Sequence, residues 1–226
     1  MSLKEKLATL RLALESDLPS GALTRLRLEA AAFEQPGRRE VALRAGNSAP
    51  DFELPDDLGS IVGLNKLLQR GPVVLCFYWG DWCGFCRLAL AALAEVASEV
   101  ERLGATMVAI APQPAHDRRI TTADVSFPLL VDAGAAVAKL FGIALTPVSE
   151  MDETYAALGR PAGENNATEL PIPAVYIVDS SGTIVFSYLD SDFTNRIEPS
   201  DILAGLRCLQ QGGGKPSVPG LHAKPT

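Results

Sequence analysis

A strand runs directly into a helix within the stretch VVLCFYWGDWCGFCRLALAAL, residues 73–93. Its first seven residues form an unbroken apolar run rich in β-branched and aromatic side chains, which predicts a strand buried on both faces. From Arg87 the sequence RLALAALAEVASEVERLG predicts a helix that ends at Gly104. The chain has four cysteines, and two of them, Cys83 and Cys86, fall at this junction. This unit of strand, loop and helix is the starting point for predicting the fold.

The segments on both sides continue the alternation of strands and helices. TMVAIAP and FPLLVD are predicted as further buried strands and AGAAVAKLFG as a helix, with a short helix expected around Asp117 to Asp124. AVYIVD and TIVFSYLD flank turn-forming residues and predict an antiparallel hairpin. APDFELPD is predicted as a short edge strand, and a last helix is predicted from Pro199 to about Gln210. Together these elements predict an α/β fold, a central mixed sheet with helices on both faces.

Changes in composition divide the chain into three regions. Residues 1–45 are predicted to form an N-terminal helical extension, because leucines recur at helical spacing on both sides of a Pro-Ser-Gly break. We expect this extension to pack on the main domain or on a second subunit, which would make a homodimer. Residues 46–210 form the predicted main domain. The Gly/Pro-rich residues 211–226 are predicted to be a flexible tail.

The net charge limits the classes of partner that the protein could bind. The formal net charge is -7, which argues against a nucleic-acid or anionic-membrane partner because both require a basic surface. No segment approaches the roughly 18 apolar residues of a membrane span, and the first residues lack the pattern of a signal peptide. We therefore expect a cytoplasmic protein, and in that compartment a cysteine pair is more often catalytic or metal-binding than structural.

Three chemistries could use Cys83 and Cys86: a metal site, a structural disulfide or a redox pair. A structural zinc site needs four ligands, and the other candidates, Cys76, Cys208 and the two histidines, lack the spacing of a second pair. A disulfide across so short a loop would constrain little chain entropy. A redox pair is favoured, because the N–H groups of a helix N-terminus and the charge of Arg87 would stabilise a thiolate. We expect no metal and no bound cofactor.

These residues resemble known proteins. WCGFC after a buried strand is similar to the Trp-Cys-x-x-Cys of thioredoxins, and LPIPA at residues 170–174 resembles the segment whose cis proline faces the cysteines in that fold. The wider frame resembles peroxiredoxins of the alkyl hydroperoxide reductase/thiol-specific antioxidant family, in GNSAPDFELPDDLG, LGATMVAIAPQ, FPLLVD and VYIVDSSGTIVFSYLD. The resemblance covers about residues 45–209 and implies a thioredoxin-like, peroxiredoxin-like redox domain at residues 46–210.

The resemblance to peroxiredoxins fails at the residues that activate peroxide in that family. Their motif Pro-x-x-x-Thr-x-x-Cys would place its cysteine on Cys86, its threonine on Cys83 and its proline on Trp79. The family's peroxide-binding arginine would fall near Pro173, so we expect both the threonine and the arginine to be absent. Thioredoxin chemistry then assigns the attack to Cys83, and peroxiredoxin chemistry assigns it to Cys86. We favour Cys83, which we expect to be the more exposed thiol at the helix terminus.

Five residues around the pair are expected to shape the site. Trp82 would shield one side of the nucleophile, and Gly84 and Phe85, between the cysteines, would tune the reduction potential. Arg87 would add positive charge, and Pro173 would present its backbone to an incoming disulfide if its peptide bond is cis. The segment 145–170 exceeds a simple connector in length and is expected to be either a lid with partner contacts or an ordinary surface insertion.

The resemblance implies an enzyme that reduces a hydroperoxide through a dithiol/disulfide cycle of Cys83 and Cys86. An external thiol donor, either a thioredoxin-like protein or a low-molecular-weight thiol, would reopen the disulfide. Two alternatives remain open at this point. One is a protein dithiol–disulfide oxidoreductase without peroxidase activity, and the other is a redox-sensing interaction protein that signals through its helical extension.

Overall fold

The computed structural model describes residues 1–18, 21–35, 37, 40–112, 120–146, 152–160 and 169–212. The strands are β1 (Glu53–Pro55), β2 (Ile61–Gly63), β3 (Val73–Phe77), β4 (Thr106–Ala111), β5 (Leu129–Val131), β6 (Ala144–Leu145), β7 (Leu170–Pro171), β8 (Ala174–Val178) and β9 (Ile184–Leu189). The helices are α1 (Leu3–Asp17), α2 (Ala22–Ala31), α3 (Leu64–Leu68), α4 (Gly84–Ala94), α5 (Ala97–Arg102), α6 (Thr122–Val125), α7 (Ala136–Leu140), α8 (Asp152–Ala157) and α9 (Pro199–Gln210).

The central sheet has five strands in the order β5-β4-β3-β8-β9. Strands β3, β4 and β5 run parallel, whereas β8 is antiparallel to both of its neighbours, β3 and β9. The predicted mixed sheet is therefore confirmed, as is the hairpin of β8 and β9. Because β3 is the middle strand, the loop that follows it leaves from the centre of the sheet.

Side chains of β3 alternate between two apolar cores. Val74 and Cys76 point into one core, which also contains buried residues of α4 and α9, while Leu75 and Phe77 point into the other, which contains residues of α3 and α7. This alternation is the period of two that a β-strand imposes. Every residue of β3 is buried, so the prediction of a strand covered on both faces is confirmed.

The N-terminal helix α1 packs against α4 of its own chain. Ser2 and Glu5 form a reciprocal capping box that fixes the start of α1. Leu3 and Leu7 are buried in the same core as α4, and Lys6 forms an ion pair with Glu95 at 3.5 Å. The helical extension thus lies over the helix that carries the cysteine pair. Its separation as a region ending at residue 45 remains a prediction.

Several predicted boundaries differ from the structure. The helix expected from Arg87 to Gly104 begins at Gly84 and is interrupted at Glu95 and Val96, where α4 ends before α5 begins. β1 pairs with β2 in a separate two-stranded sheet, and the residues that follow β1 meet β5 through a bridge between Asp56 and Leu130 and a hydrogen bond from the Asp57 N–H to the Leu129 oxygen. It is therefore not an edge strand of the central sheet.

Parts of three predicted segments lie outside the described residues. The helix expected around Asp117 to Asp124 is described only from residue 120, where α6 occupies Thr122–Val125. The segment 145–170 contains α8, and its ends β6 and β7 pair antiparallel, but residues 147–151 and 161–168 are not described. Residues 213–226 of the predicted tail are also outside the description. Within the described part of the chain, none of the helices has the length and apolarity needed to cross a membrane.

Candidate active site

Cys83 is the N-cap residue of α4, and Cys86 lies in the first turn of that helix. The Cys83 Sγ accepts a hydrogen bond from the Cys86 backbone N–H at 3.4 Å, so the sulfur satisfies one of the donors that a helix start leaves free. The two thiols also interact with each other, and this interaction raises the pKa of Cys83 and lowers the pKa of Cys86. Both cysteines are free thiols.

Both thiols are buried. Cys83 is 2% exposed and Cys86 is 0% exposed, so Cys83 is the more exposed thiol by only a small margin and neither sulfur is accessible at the surface. The cover comes partly from α1, whose Leu10 packs over the start of α4. A Cβ on Gly84 would lie 3.2 Å from Leu10 Cδ2, which is tighter than ordinary van der Waals contact. Gly84 therefore allows the close approach of α1, a role that the local sequence did not indicate.

Arg196 supplies the positive charge at the buried pair. Its Nη2 lies 3.4 Å from the Cys86 Sγ, although the two residues are 110 positions apart. Its Nη1 donates to the backbone oxygens of Phe193 and Asn195, the latter at 2.7 Å. These bonds fix the guanidinium before any substrate arrives. No arginine stands at the family's matching position near Pro173, as expected, but Arg196, from another element, places a guanidinium beside the Cys86 sulfur that the sequence did not indicate.

The loop that carries Arg196 joins β9 to α9 and is held from both sides. Phe193 stacks on Trp79, with ring centroids 5.0 Å apart, and meets Phe85 edge to face at 5.5 Å. Asp192 accepts hydrogen bonds from the N–H of Thr194 at 3.0 Å and from its hydroxyl at 2.6 Å. The only sequence signal for this loop was a polar segment, DSDFTNRIEP, between the last strand and the last helix. Nothing in it indicated which residue reaches the cysteines.

The environment makes Cys86 the thiolate of the pair. Burial opposes its ionisation, but the hydrogen bond from Cys83, the charge of Arg196 and the backbone at Trp79 outweigh burial and lower the pKa of Cys86 to about 6. Burial raises the pKa of Cys83 well above its usual value, and its side-chain interaction with Cys86 raises this pKa further. The directions of the two pKa shifts favour Cys86, rather than Cys83, as the ionised thiol.

Arg87 has a structural contact rather than the expected electrostatic one. Its Nη1 donates to the backbone oxygen of Asp81 at 2.8 Å and of Trp82 at 3.1 Å. These bonds hold the loop between β3 and α4 in place just before Cys83. The thiolate is balanced by Arg196 instead. Arg87 is thus a positioning residue for the loop.

Aromatic side chains close the site on the side of Trp82. Trp82 is 2% exposed and stacks on Trp79 at 5.7 Å, while Tyr155 of α8 meets both indoles edge to face. The Trp79 Nε1–H donates to the Pro171 backbone oxygen at 2.9 Å. Phe85 is 1% exposed and packs on Phe193. The pair therefore lies in an apolar surrounding that strengthens the attraction between Arg196 and the thiolate.

A cavity of about 30 Å³ lies against Cys86 and is bounded by Cys76, Pro173, Tyr188 and Arg196, among others. Its size suits one or two water-sized groups. Pro173 lines this cavity, so it lies near the pair as expected. The described residues contain no cis peptide bond, so the condition under which Pro173 was expected to present its backbone to a disulfide is not met. Those residues also contain no group of three or more His, Cys, Asp or Glu side chains suited to a metal ion.

A mixed sheet with a Trp-Cys-x-x-Cys pair at the start of the helix after its central strand defines the class of thioredoxin-fold thiol oxidoreductases. More specifically, the chain belongs to the AhpC/TSA family, because residues 45–187 match the sequence pattern of that family. The expectation of a thioredoxin-like, peroxiredoxin-like protein is confirmed by this match.

Similar proteins support the same class. One similar protein is named as a peroxiredoxin of Mycobacterium tuberculosis (strain ATCC 25618 / H37Rv). It is 28% identical over 173 residues, which cover 75% of this chain and 100% of that protein. Thiol-disulfide oxidoreductase ResA of Bacillus cereus is 25% identical over 136 residues, which cover 58% of this chain and 78% of that protein. The crystal structure of peroxidoxin BcpB from Mycobacterium tuberculosis matches with a TM-score of 0.56 and 24% identity, covering 74% of this chain and 98% of that one. The chain is an enzyme of thiol-based redox chemistry.

Proposed function

We propose that the protein reduces hydroperoxides with Cys86 as the attacking thiolate and Cys83 as the resolving thiol. The observation that carries this proposal is the contact of Arg196 Nη2 with the Cys86 Sγ at 3.4 Å. A fixed guanidinium keeps the thiolate ionised and adds positive charge where the leaving oxygen becomes negative. Its second Nη2 hydrogen and its Nε hydrogen have no acceptor among the described residues, so they are free to bind a peroxide oxygen.

The cycle needs only these groups. The Cys86 thiolate attacks the terminal peroxide oxygen, the O–O bond breaks, and the alkoxide leaves and takes a proton from solvent to become an alcohol. Cys86 is then a sulfenic acid. The Cys83 sulfur attacks the Cys86 sulfur, and hydroxide leaves with the Cys83 proton as water. The products are one alcohol, one water and the Cys83–Cys86 disulfide, and two electrons have passed from the two thiols to the peroxide.

The burial of the pair favours a small oxidant over a protein disulfide. A protein disulfide must bring its sulfur into line with an attacking sulfur, and Cys83 and Cys86 are 2% and 0% exposed. A hydroperoxide group fits a cavity of about 30 Å³ at Cys86. An external thiol then has to reopen the disulfide on every turnover. That requirement supports a reducing compartment, the cytoplasm, as the location of the protein.

A protein dithiol–disulfide oxidoreductase without peroxidase activity is the second candidate. One observation favours it: Cys83 stands where peroxiredoxins have threonine, which gives the chain the Trp-Cys-x-x-Cys of disulfide oxidoreductases. The similarity to thiol-disulfide oxidoreductase ResA agrees with that reading. In this case Cys83 would have to become exposed, because the first attack on a protein disulfide requires an accessible thiolate.

Stopped-flow oxidation of the reduced protein by hydrogen peroxide separates the two candidates, with the fluorescence of Trp79 and Trp82 as the signal. We expect a second-order rate constant well above that of a free thiol with the same pKa. The Cys86→Ser variant should lose this reaction, and Cys208→Ser should keep it. A wild-type rate no better than that of the free thiol would rule out the peroxidase and leave the disulfide oxidoreductase.

A further inference from the structure

A groove of about 720 Å³ lies beside the cysteine pair, between α1 and the loop that carries Arg196. One wall comes from residues of α1, and the other from the end of β9, the loop of Arg196 and the start of α9. Its volume falls in the range that holds small-molecule ligands. All of its lining residues lie outside residues 45–187, the part that matches the AhpC/TSA family. The groove is therefore a property of this chain rather than of the family match.

The groove and the small cavity at Cys86 share a wall. Tyr188, Arg196 and Ile197 line both spaces. Arg196 faces the groove and also contacts the Cys86 Sγ at 3.4 Å. A molecule seated in the groove therefore needs to pass only these three side chains to reach the thiol. On the opposite side Cys83 is covered, since Leu10 packs over Gly84 and Trp82 is buried.

Two charges in the groove have no partner of their own. The Lys4 ammonium and the Asp201 carboxylate make no hydrogen bond or ion pair among the described residues, although both line this space. The other charges are engaged: Arg11 pairs with Glu15 at 3.7 Å, and Glu198 accepts a hydrogen bond from the Lys4 backbone N–H at 2.8 Å. Burial and the nearby charge of Glu198 raise the pKa of Asp201, and a cation beside the two carboxylates would be attracted to both and would oppose that shift.

We propose that this groove binds the reducing substrate, a small zwitterionic thiol that carries both a carboxylate and an ammonium group. The carboxylate lies on Lys4, the ammonium lies on Asp201, and the sulfur points past Arg196 to Cys86. This inference rests on the proposed Cys83–Cys86 cycle. It assigns the return of electrons to a small peptide-like or amino-acid-like thiol, because α1 covers the pair against a protein donor.

Two thiol molecules complete the reduction. The first thiolate bonds to the Cys86 sulfur, the Cys83–Cys86 bond breaks, and Cys83 leaves as a thiolate that takes up a proton. The second thiolate attacks the small-molecule sulfur of this mixed disulfide and releases the Cys86 thiolate, which Arg196 stabilises as a leaving group. Two thiols are oxidised to one disulfide, and the enzyme gains two electrons.

The test uses the full chain with its Cys83–Cys86 disulfide formed by diamide, so it does not depend on peroxidase activity. Glutathione serves as the zwitterionic thiol and 2-mercaptoethanol as the neutral thiol, and reduction is followed by tryptophan fluorescence. We expect the rate with glutathione to saturate. Lys4→Gln and Asp201→Asn should each raise the half-saturating concentration about threefold to fivefold, the value of one partly exposed ion pair. Neither variant should change the rate with 2-mercaptoethanol.

Matched controls remove charges elsewhere on the surface. Lys66→Gln and Glu101→Gln should leave the glutathione kinetics unchanged, since neither residue lines the groove. A linear dependence on glutathione that Lys4→Gln and Asp201→Asn do not alter would overturn the proposal. So would faster reduction by Escherichia coli thioredoxin than by glutathione at equal thiol concentration. Saturation by glutathione in a protein that fails to react rapidly with peroxide would keep the groove assignment and reject only the peroxidase.

Discussion

Arg196 holds its guanidinium against the Cys86 sulfur, with Nη2 and Sγ 3.4 Å apart, from a loop at the far end of the chain. The contact places a permanent positive charge directly against the second cysteine of the Cys-x-x-Cys pair, and the same charge acts on the first cysteine without outweighing its burial. The order of reactivity in the pair follows from it. Cys86 is the ionised thiol, and Cys83 is the protonated neighbour that donates a hydrogen bond to it.

Removing the charge of Arg196 should raise the pKa of Cys86. We expect Arg196→Gln to raise it by about 1 to 2, as the loss of an opposite charge at contact distance does. At pH 7 the smaller ionised fraction of Cys86 alone should lower the rate of reaction with peroxide about twofold to tenfold, and the loss of the charge at the leaving oxygen should lower it further. Arg196→Lys should lose less, since it keeps the charge. The pH dependence of alkylation by iodoacetamide measures the pKa directly.

The control for this variant is Arg102→Gln, which removes an exposed guanidinium paired with Glu99 far from the thiols. It should leave both the pKa of Cys86 and the peroxide rate unchanged. An Arg196→Gln protein that titrates as the wild type does would show that the helix N-terminus and Cys83 suffice to ionise Cys86.

The rate of peroxide reduction by the wild-type protein should increase with pH. Because the pKa of Cys86 is lowered to about 6, the rate of peroxide reduction should rise as pH increases through 6 and be level by pH 8. The same lowering links stability to pH: ionised Cys86 favours the folded state above the ordinary thiol pKa, and this contribution is lost as pH falls through 6. A profile with its midpoint near 9 would mean that neither thiol is activated.

A pair of substitutions at Cys83 separates its hydrogen bond from its sulfur chemistry. Cys83→Ala removes the donor to the Cys86 sulfur and should raise the pKa of Cys86, whereas Cys83→Ser keeps an O–H donor and should hold the pKa near 6. Each loses the resolving thiol, so in the absence of an external thiol both should stop after one oxidation of Cys86. Equal pKa values for Cys86 in the two variants would show that the hydrogen bond contributes nothing to its ionisation.

Loosening the contact between α1 and α4 should expose the thiols. Leu10→Ala removes the methyl groups that pack over Gly84. If it costs about 1 kcal/mol of local stability, the open population and hence the rate of alkylation should rise about fivefold. Leu28→Ala, a matched change at a side chain that is 66% exposed, should leave the rate unaltered. Labelling of Cys83 and Cys86 followed by peptide mass analysis gives both rates.

The sequence predicted what depends on local patterns. The apolar run at β3 identified the buried central strand, and the strand-to-helix junction located Cys83 and Cys86 at the start of α4. The hairpin of β8 and β9 followed from its turn residues. These predictions are correct because strand burial, helix starts and turns are determined by residues close together in the chain.

The features of the site that the sequence did not indicate depend on contacts between segments that are distant in the chain. Arg196 reaches Cys86 only because Phe193 packs on Trp79 and Phe85, and no local pattern encodes that arrangement. Leu10, which packs over Gly84 next to Cys83, lies on a helix more than 70 residues earlier in the chain. Both contacts bear on which thiol is ionised, and the sequence indicated neither of them. An assignment of reactivity requires the charges and cover that the tertiary structure brings to the two sulfurs.

Trapping of the sulfenic acid tests the order of attack most directly. Cys83→Ser and Cys86→Ser proteins are each treated with one equivalent of hydrogen peroxide in the presence of dimedone, and the adducts are located by peptide mass analysis. We expect an adduct on Cys86 in the Cys83→Ser protein and none on Cys83 in the Cys86→Ser protein. An adduct that forms rapidly on Cys83, with Cys86 left unmodified, would contradict the role given to Arg196 and to the thiolate it holds.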